Sequence, residues 1–231
     1  MTQGKLITIE GIDGVGKTTQ SVELAKNLRV LGYGCHGISF PRYYTPIGQE
    51  IRKHQNDKTL NKLTLEEITR LYASDRSQAQ KSEILFWINY DSIVINNRYM
   101  ESNLAYQGAR FFEKRREVWD YIRKVELEEF GIRPSDIVIL LDIPVEYSAK
   151  AMEDQGRFLD VNEEDLDYQK KVRACYLELA ALNSESWIVF DCLREDKKTR
   201  NPIDVLGKEI LEEVKKRLSK KELFSLTDKC L

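Results

Sequence analysis

Residues 5–18 read Lys5-Leu6-Ile7-Thr8-Ile9-Glu10-Gly11-Ile12-Asp13-Gly14-Val15-Gly16-Lys17-Thr18, an apolar, β-branched run that breaks at a glycine and ends in Lys-Thr. Lys5–Glu10 has the composition of a strand buried on both faces. Gly11 to Thr18 matches GxxxxGK[ST] in full and opens a helix predicted from Lys17 to about Leu31. In that context glycines let successive backbone N–H groups converge on anionic oxygens, and the helix N-terminus adds partial positive charge. Lys17 is the first catalytic candidate, reaching the β/γ-phosphates, and the Thr18 hydroxyl is the candidate ligand for Mg2+. The ATP-binding set is therefore Gly11, Ile12, Asp13, Gly14, Val15, Gly16, Lys17, Thr18 and Thr19. Asp13 is unexpected there, because a carboxylate facing phosphates repels them. Two readings stand: it stabilises the turn, or it reaches sideways to a second substrate beside the donor phosphates. Gly32 to Gly37 also spells GxGxxG, but it follows a helix and precedes a strand, the reverse of the dinucleotide context, and reads as a helix C-cap and turn.

The same alternation continues outward. Residues 34–40, 91–96, 136–142 and 186–191 read as further strands buried on both faces. Between them, residues 64–89 repeat Leu65, Ile68, Leu71 and Tyr72 at helical spacing, and residues 162–182 do the same with Val172, Cys175, Tyr176 and Leu179. Residues 203–218 set Leu206, Ile210, Val214 and Leu218 on one helical face. This pattern predicts an α/β fold, a parallel sheet wrapped by helices, as one folding unit over residues 1–231. The stretch 153–167 is rich in acids and poor in aliphatic residues. It reads as a solvated excursion, either a functional lid (about residues 150–167) or an ordinary surface loop.

Composition narrows the function. The 36 Lys+Arg balance 38 Asp+Glu to a net charge of −2, which removes the overall basic footprint of a nucleic-acid binder. With mean hydropathy of −0.48, nothing approaches the roughly 18 apolar residues a membrane span needs. The opening MTQGKLITIE lacks a signal-peptide core, so a cytoplasmic location is expected. Cys35, Cys175, Cys192 and Cys230 form no CxxC pair, and His36 and His54 stand alone. Neither a zinc site nor a disulfide framework is expected, and the thiols fit a reducing compartment.

Ligands in parallel α/β sheets lie beyond the carboxyl ends of the strands. There the chain carries Phe40-Pro41-Arg42-Tyr43 and Asn97-Arg98-Tyr99. Taken with EGIDGVGKTTQ at 10–20, LYASDR at 71–76 and NRYMESNLAYQ at 97–107, these motifs resemble, in order and spacing, the thymidylate kinase family of P-loop nucleoside monophosphate kinases. The resemblance covers about residues 5–191 and is densest over the first 110. It implies a P-loop NTPase-type, five-stranded parallel sheet in a three-layer α/β/α arrangement, a homodimer, and Mg2+-assisted transfer of the ATP γ-phosphate to dTMP. It also implies that Asp13 contacts the deoxyribose 3′-OH, Arg42 and catalytic Arg98 the acceptor phosphate, and Arg76 the thymine O4. Phe40 belongs to the substrate-binding set, Tyr72 falls where the family keeps a base-stacking aromatic, Asn103 at a base contact of some members, Tyr106 near the sugar C2′, and Gln107 alongside.

Rival readings accompany these positions. Tyr72 at helical spacing with Ile68 also suits a core aromatic, Arg76 a surface salt bridge with Asp75 or another acid, and Tyr106 simple packing. Arg98 directly after a buried strand is an unfavourable cation unless an anion reaches it. The chain departs from the family at Asn97, where Asp is usual and helps organise the magnesium shell, and at Gly14, where some members carry a basic residue. Arg157 is the expected lid arginine that compensates for Gly14, against the alternative that it pairs with Asp154 or Asp160. Beside the kinase reading stand a kinase for another deoxynucleotide and a nucleotide-binding protein with impaired catalysis.

Overall fold

Strand β1 (Lys5–Glu10) runs through the middle of the molecule, with Leu6, Ile7 and Ile9 wholly buried. The computed structural model describes residues 4–56, 63–154, 165–194, 196 and 198–227. After β1 come α1 (Lys17–Val30), β2 (Cys35–Ser39), α2 (Pro46–Asn56), α3 (Leu65–Ala79), α4 (Leu85–Asn89) and β3 (Ile93–Asn97). The chain continues through α5 (Met100–Arg110), α6 (Arg115–Arg123), β4 (Ile137–Asp142), α7 (Val145–Asp154), α8 (Leu166–Leu182), β5 (Trp187–Asp191) and α9 (Ile203–Thr227).

The five strands pair in parallel in the order β2-β3-β1-β4-β5. The register sets Ile9 opposite Asn97 and Thr8 opposite Val138, so the ends of β1 and β3 finish side by side. Parallel crossovers are right-handed. The step from β1 to β2 runs one way along the sheet, and the steps from β2 to β3, β3 to β4 and β4 to β5 run the other way. Helix α1 and the helices of the later crossovers therefore cover opposite faces, with α9 packed on α1 and α5 on α8. No helix among the described residues is long and apolar enough to cross a membrane.

The three central strands are buried except for one half-buried end residue each, Lys5, Asn97 and Asp142. In β2, Gly37 and Ser39 are exposed, and in β5, Val189 and Asp191 are exposed. The expectation of burial on both faces fails for these two because each is an edge strand with a single neighbour. Residues 64–89 are helical, but not uniformly so. A Thr64–Glu67 capping box starts α3, and a π-helical turn, Gln80–Ile84, joins it to α4. Helix α8 begins at Leu166, where the Asp165 carboxylate accepts from the Tyr168 N–H at 3.0 Å, and α9 runs past residue 218. The excursion at 153–167 is thus helical at both ends; its residues 155–164 lie outside the described residues. Gly32 does end α1, with φ of 91° and its N–H on the Arg29 carbonyl at 2.9 Å.

Trp119 of α6 fastens the layer beneath the candidate site. It is 1% exposed, and its indole N–H donates to the Leu104 carbonyl of α5 at 2.9 Å. Trp119→Ala is expected to cost about 3–5 kcal/mol through lost burial and the cavity left behind. Urea denaturation measures this, and a loss below about 1 kcal/mol would contradict the packing described.

Candidate active site

The phosphate loop turns back over the carboxyl end of β1 through Gly11, whose φ is 140° and whose missing Cβ leaves room for the Leu141 carbonyl. Ile12 and Val15 bury their side chains in the core and so anchor the loop from below. Lys17 donates to the Gly11 and Ile12 carbonyls at 3.0 and 2.8 Å and lies 3.8 Å from Asp13, so its ammonium crosses the loop. Thr18 and Thr19 are exposed at the head of α1. The Thr18 hydroxyl accepts from Asn97 Nδ2 at 3.0 Å, which brings the end of β3 onto the loop.

Arg98 follows β3 at a φ of 66°, its N–H held by the Ile9 carbonyl at 3.1 Å. Its guanidinium pairs with Asp13, donates to Ser102 Oγ at 3.1 Å and to Tyr106 Oη at 3.2 Å, and lies over the Tyr106 ring. Tyr106 in turn donates to Asp13 Oδ2 at 2.5 Å. Asp13 therefore turns toward the end of β3 and α5, and Arg98 has an internal anion. Burial pushes the Asp13 carboxyl up, but the Arg98 and Lys17 charges and the bonds from Tyr106 and Arg98 outweigh it, holding it far below the usual carboxylate range. Glu10, wholly buried at the end of β1, organises the start of α5. It accepts from the Tyr99 N–H at 2.8 Å, Ser102 Oγ at 2.6 Å and Tyr176 Oη at 2.7 Å.

The other two arginines are held from α3 and beyond. Arg42 donates from its backbone N–H and Nε to Asp75 at 2.9 and 2.8 Å, and from NH2 to the Asp75 carbonyl and Gln78 at 2.9 and 3.1 Å. Its NH1 reaches Glu83 at 3.4 Å. Arg76, 2% exposed, forms a two-pronged pair with Glu126 at 2.7 and 2.5 Å, with NH1 3.4 Å from the Tyr99 carbonyl. The rival reading of Arg76 as a surface salt bridge with Asp75 or another acid is corrected in place: the acid is Glu126, and the pair is buried and not on the surface. Adjacent helical residues diverge by about 100°, so Asp75 and Arg76 serve different partners.

Glu126 lies in a π-helical turn, Lys124–Glu129, and also accepts from Asn103 Nδ2 at 2.9 Å. Asn103 Oδ1 and Gln107 Oε1, one turn apart on α5, are buried without hydrogen-bond partners among the described residues. Tyr72 is half-buried beneath Arg76, accepts from Gln55 Nε2 at 3.0 Å, and lies outside the hydrophobic core cluster, which removes the core reading. Phe40 is in that core, its ring tilted against Tyr99 at 5.5 Å. Tyr106 packs on the core edge as well as bonding Asp13. Arg157 lies outside the described residues.

The structure thus gathers Asp13, Lys17, Thr18, Asn97, Arg98 and Tyr106 directly. Through Glu126 it joins Arg76 to Asn103. Sequence reading missed the partners Asp75, Glu126 and Glu10. Asp75 sits inside the LYASDR motif, which gives no sign of its partner Arg42; Glu126 carries no local signal, since it is 50 residues from its arginine. Among the described residues no three His, Cys, Asp or Glu side chains group to hold a metal ion. The arrangement can hold two anions side by side, one on the loop amides and one among the guanidinium groups.

Burial, then the charge of Glu10, pushes the carboxyl of neighbouring Glu101 up to about 8. A carboxyl raised in the folded state favours folding fully below its unfolded value near 4.5, and that advantage is lost as pH rises to about 8. Glu101→Gln is expected to flatten the fall in Tm between pH 5 and 8, with its largest gain over the parent at pH 8. Parallel Tm profiles for the two proteins would contradict this.

Residues 9–203 match the family model described as Thymidylate kinase. The chain is similar to the thymidylate kinase of Desulforudis audaxviator, 35% identical over 83% of this chain and 85% of that protein. It is also similar to a probable thymidylate kinase of Pyrococcus horikoshii, 34% identical over 81% and 88%. In fold it resembles a solved thymidylate kinase of Candida albicans, with a TM-score of 0.72 at 23% identity over 94% of each chain. With the phosphate loop, the strand order and the match along most of its length, the chain belongs to the thymidylate kinase family.

Proposed function

We propose that the chain moves the γ-phosphoryl group of ATP onto dTMP, giving dTDP and ADP for dTTP synthesis. It acts as one P-loop kinase domain per copy of a cytoplasmic homodimer. The observation that carries the reading is the Asp13–Arg98 pair: a side chain of the donor loop and a cation of the acceptor side already touch, so two bound phosphates would abut. A phosphate oxygen of dTMP attacks the γ-phosphorus in line as the bond to the ADP oxygen breaks, and catalysis is positioning and charge neutralisation.

Donor phosphates lie along the N–H groups from Gly14 to Thr19, with Lys17 leaving the loop carbonyls for the β/γ-oxygens. Thr18 Oγ1 and the neighbouring Asn97, whose buried Oδ1 has no partner among the described residues, are neutral oxygen donors suited to Mg2+ alongside phosphate oxygens. Bound there, the ion would supply neutralisation of β- and γ-phosphate charge. Arg98 and the remaining N–H of Arg42 hold the acceptor phosphate, and Asp13 turns to the 3′-OH. Tyr106 covers the sugar C2′, Tyr72 and Phe40 border the base, and Gln107 lies beside it. Arg76 NH1 donates to O4, while Asn103, its amide nitrogen held by Glu126, offers Oδ1 to the N3–H. Arg157 of the lid meets charge on the transferring group.

Lys17→Ala is expected to abolish turnover while circular dichroism and Tm stay close to the parent; near-normal activity would remove Lys17 from the chemistry. The test of the whole reading is a steady-state panel of nucleoside monophosphates with Mg·ATP. dTMP should be the preferred acceptor, with dUMP about 10- to 200-fold lower in kcat/KM for want of one methyl contact. dCMP should be rejected more strongly than dUMP, because its amine and unprotonated N3 oppose Arg76 and Asn103. Equal rates on dUMP and dCMP would break the base assignment, and no ADP release with any acceptor would break the function.

A further inference from the structure

Position 14 of the phosphate loop has no room for a side chain. Gly14 has a φ of 73°, and a Cβ built there would stand 2.9 Å from the Ser148 carbonyl oxygen and 2.7 Å from Met152 Cγ, both on α7. A basic side chain at position 14 is therefore excluded by the helix beside it. A guanidinium nevertheless reaches this point from elsewhere: Arg200 donates through NH1 and NH2 to the Gly14 carbonyl at 3.1 and 3.0 Å, and through NH2 to the Tyr147 carbonyl at 3.2 Å. Ser148 Oγ donates to the neighbouring carbonyl, that of Asp13.

Two consecutive peptide units are thus gripped by their oxygens from outside the loop. In a trans peptide the N–H points opposite to the C=O of the same unit. Fixing the Asp13 and Gly14 carbonyls on the α7 side therefore turns the Gly14 and Val15 N–H groups to the other side, as a concave anion nest requires. Arg200 also differs from the other arginines of the site. Arg42, Arg76 and Arg98 each pair with a carboxylate, whereas the bonds of Arg200 among the described residues all go to carbonyls. Its charge stays uncompensated by any acid there, and burial makes the charged form less favourable. An anion on the loop would relieve that cost.

Its placement is built. Leu193 and Arg200 form an isolated antiparallel bridge past the end of β5. The Arg194 N–H donates to the Thr199 carbonyl and the Asn201 N–H to the Cys192 carbonyl, each at 2.8 Å. Leu193 and Cys192 are buried beneath.

We propose that Arg200, assisted by Ser148, is a positioning residue that holds the phosphate loop in its anion-binding form and brings positive charge to the position that cannot carry its own. This rests on the loop being the ATP site. The test uses the full chain and titrates Mg·ATP and dTMP separately by calorimetry, with steady-state kinetics and amide NMR of Gly14 and Val15. Arg200→Ala should raise Kd and KM for ATP about 10- to 100-fold, the worth of charge-assisted hydrogen bonds. The dTMP Kd should stay within twofold, and the Gly14 and Val15 amides should shift. Arg200→Lys should recover part of the ATP affinity, and Arg200→Gln, which bonds without charge, less than Lys. Ser148→Ala should weaken ATP in the same direction by a smaller factor.

ATP affinity unchanged within twofold in Arg200→Ala would overturn the proposal. So would an equal loss of ATP and dTMP binding with a matching fall in Tm, which marks a merely structural arginine. A parent that binds Mg·ATP without phosphorylating dTMP sinks the kinase reading alone, because the ATP titrations still support or overturn the role of Arg200. A parent that binds no Mg·ATP ends both.

Discussion

A guanidinium at the end of a buried strand must have an anion. Arg98 has that position because β3 ends beside β1 in register, and it meets the requirement with Asp13, a residue of the loop that follows β1. One ion pair therefore couples the two halves of the site. Removing one partner of a buried pair leaves a charge with neither water nor counter-ion, which costs several kcal/mol, whereas exchanging one anion for another keeps the balance. A phosphate arriving at Arg98 can make that exchange.

The same rule extends outward. Arg42 rests on Asp75 and Arg76 on Glu126, so each of these cations is held in a fixed orientation by a carboxylate. Preorganised charge is worth more than mobile charge, because little reorganisation remains when the transferring group becomes most charged. Glu126 adds a directional effect. By occupying the Asn103 amide nitrogen it leaves an oxygen acceptor near the Arg76 donors, a pattern that repeats the donor and acceptor of cytosine's edge and so cannot pair with it. Glu10 has no anion-binding part to play, yet it sets the start of α5 and hence the spacing of Ser102, Asn103 and Tyr106.

Local signals in the chain were enough for β1, whose bounds match the apolar run, and for the phosphate loop, whose chemistry is contiguous. Helix α8 agrees with its apolar stripe to within a few residues, whereas α9 runs nine residues past the stripe that ends at Leu218. Burial of β2 and β5 was misjudged, because a short apolar run looks the same whether a strand has one neighbour or two. Asp13, Arg42, Arg76, Arg98 and Tyr106 stand out in the sequence by motifs of their own; what holds them does not. Asp75 and Arg76 are adjacent in sequence but diverge on the helix, and Glu126 and Arg200 reach the site across 50 and 186 residues. Such pairings depend on the sheet order and on a π-helical turn, neither of which leaves a mark in a short window of sequence.

The most direct measurement is a crystal structure of the chain with dTMP and a non-hydrolysable ATP analogue bound together. The account predicts the terminal triphosphate oxygens on the amides of Gly14 to Thr18, the dTMP phosphate on Arg98, and thymine O4 at Arg76 with N3 at Asn103. Thymine lodged away from Arg76, or an Asp13–Arg98 pair untouched by a dTMP phosphate bound elsewhere, would contradict it.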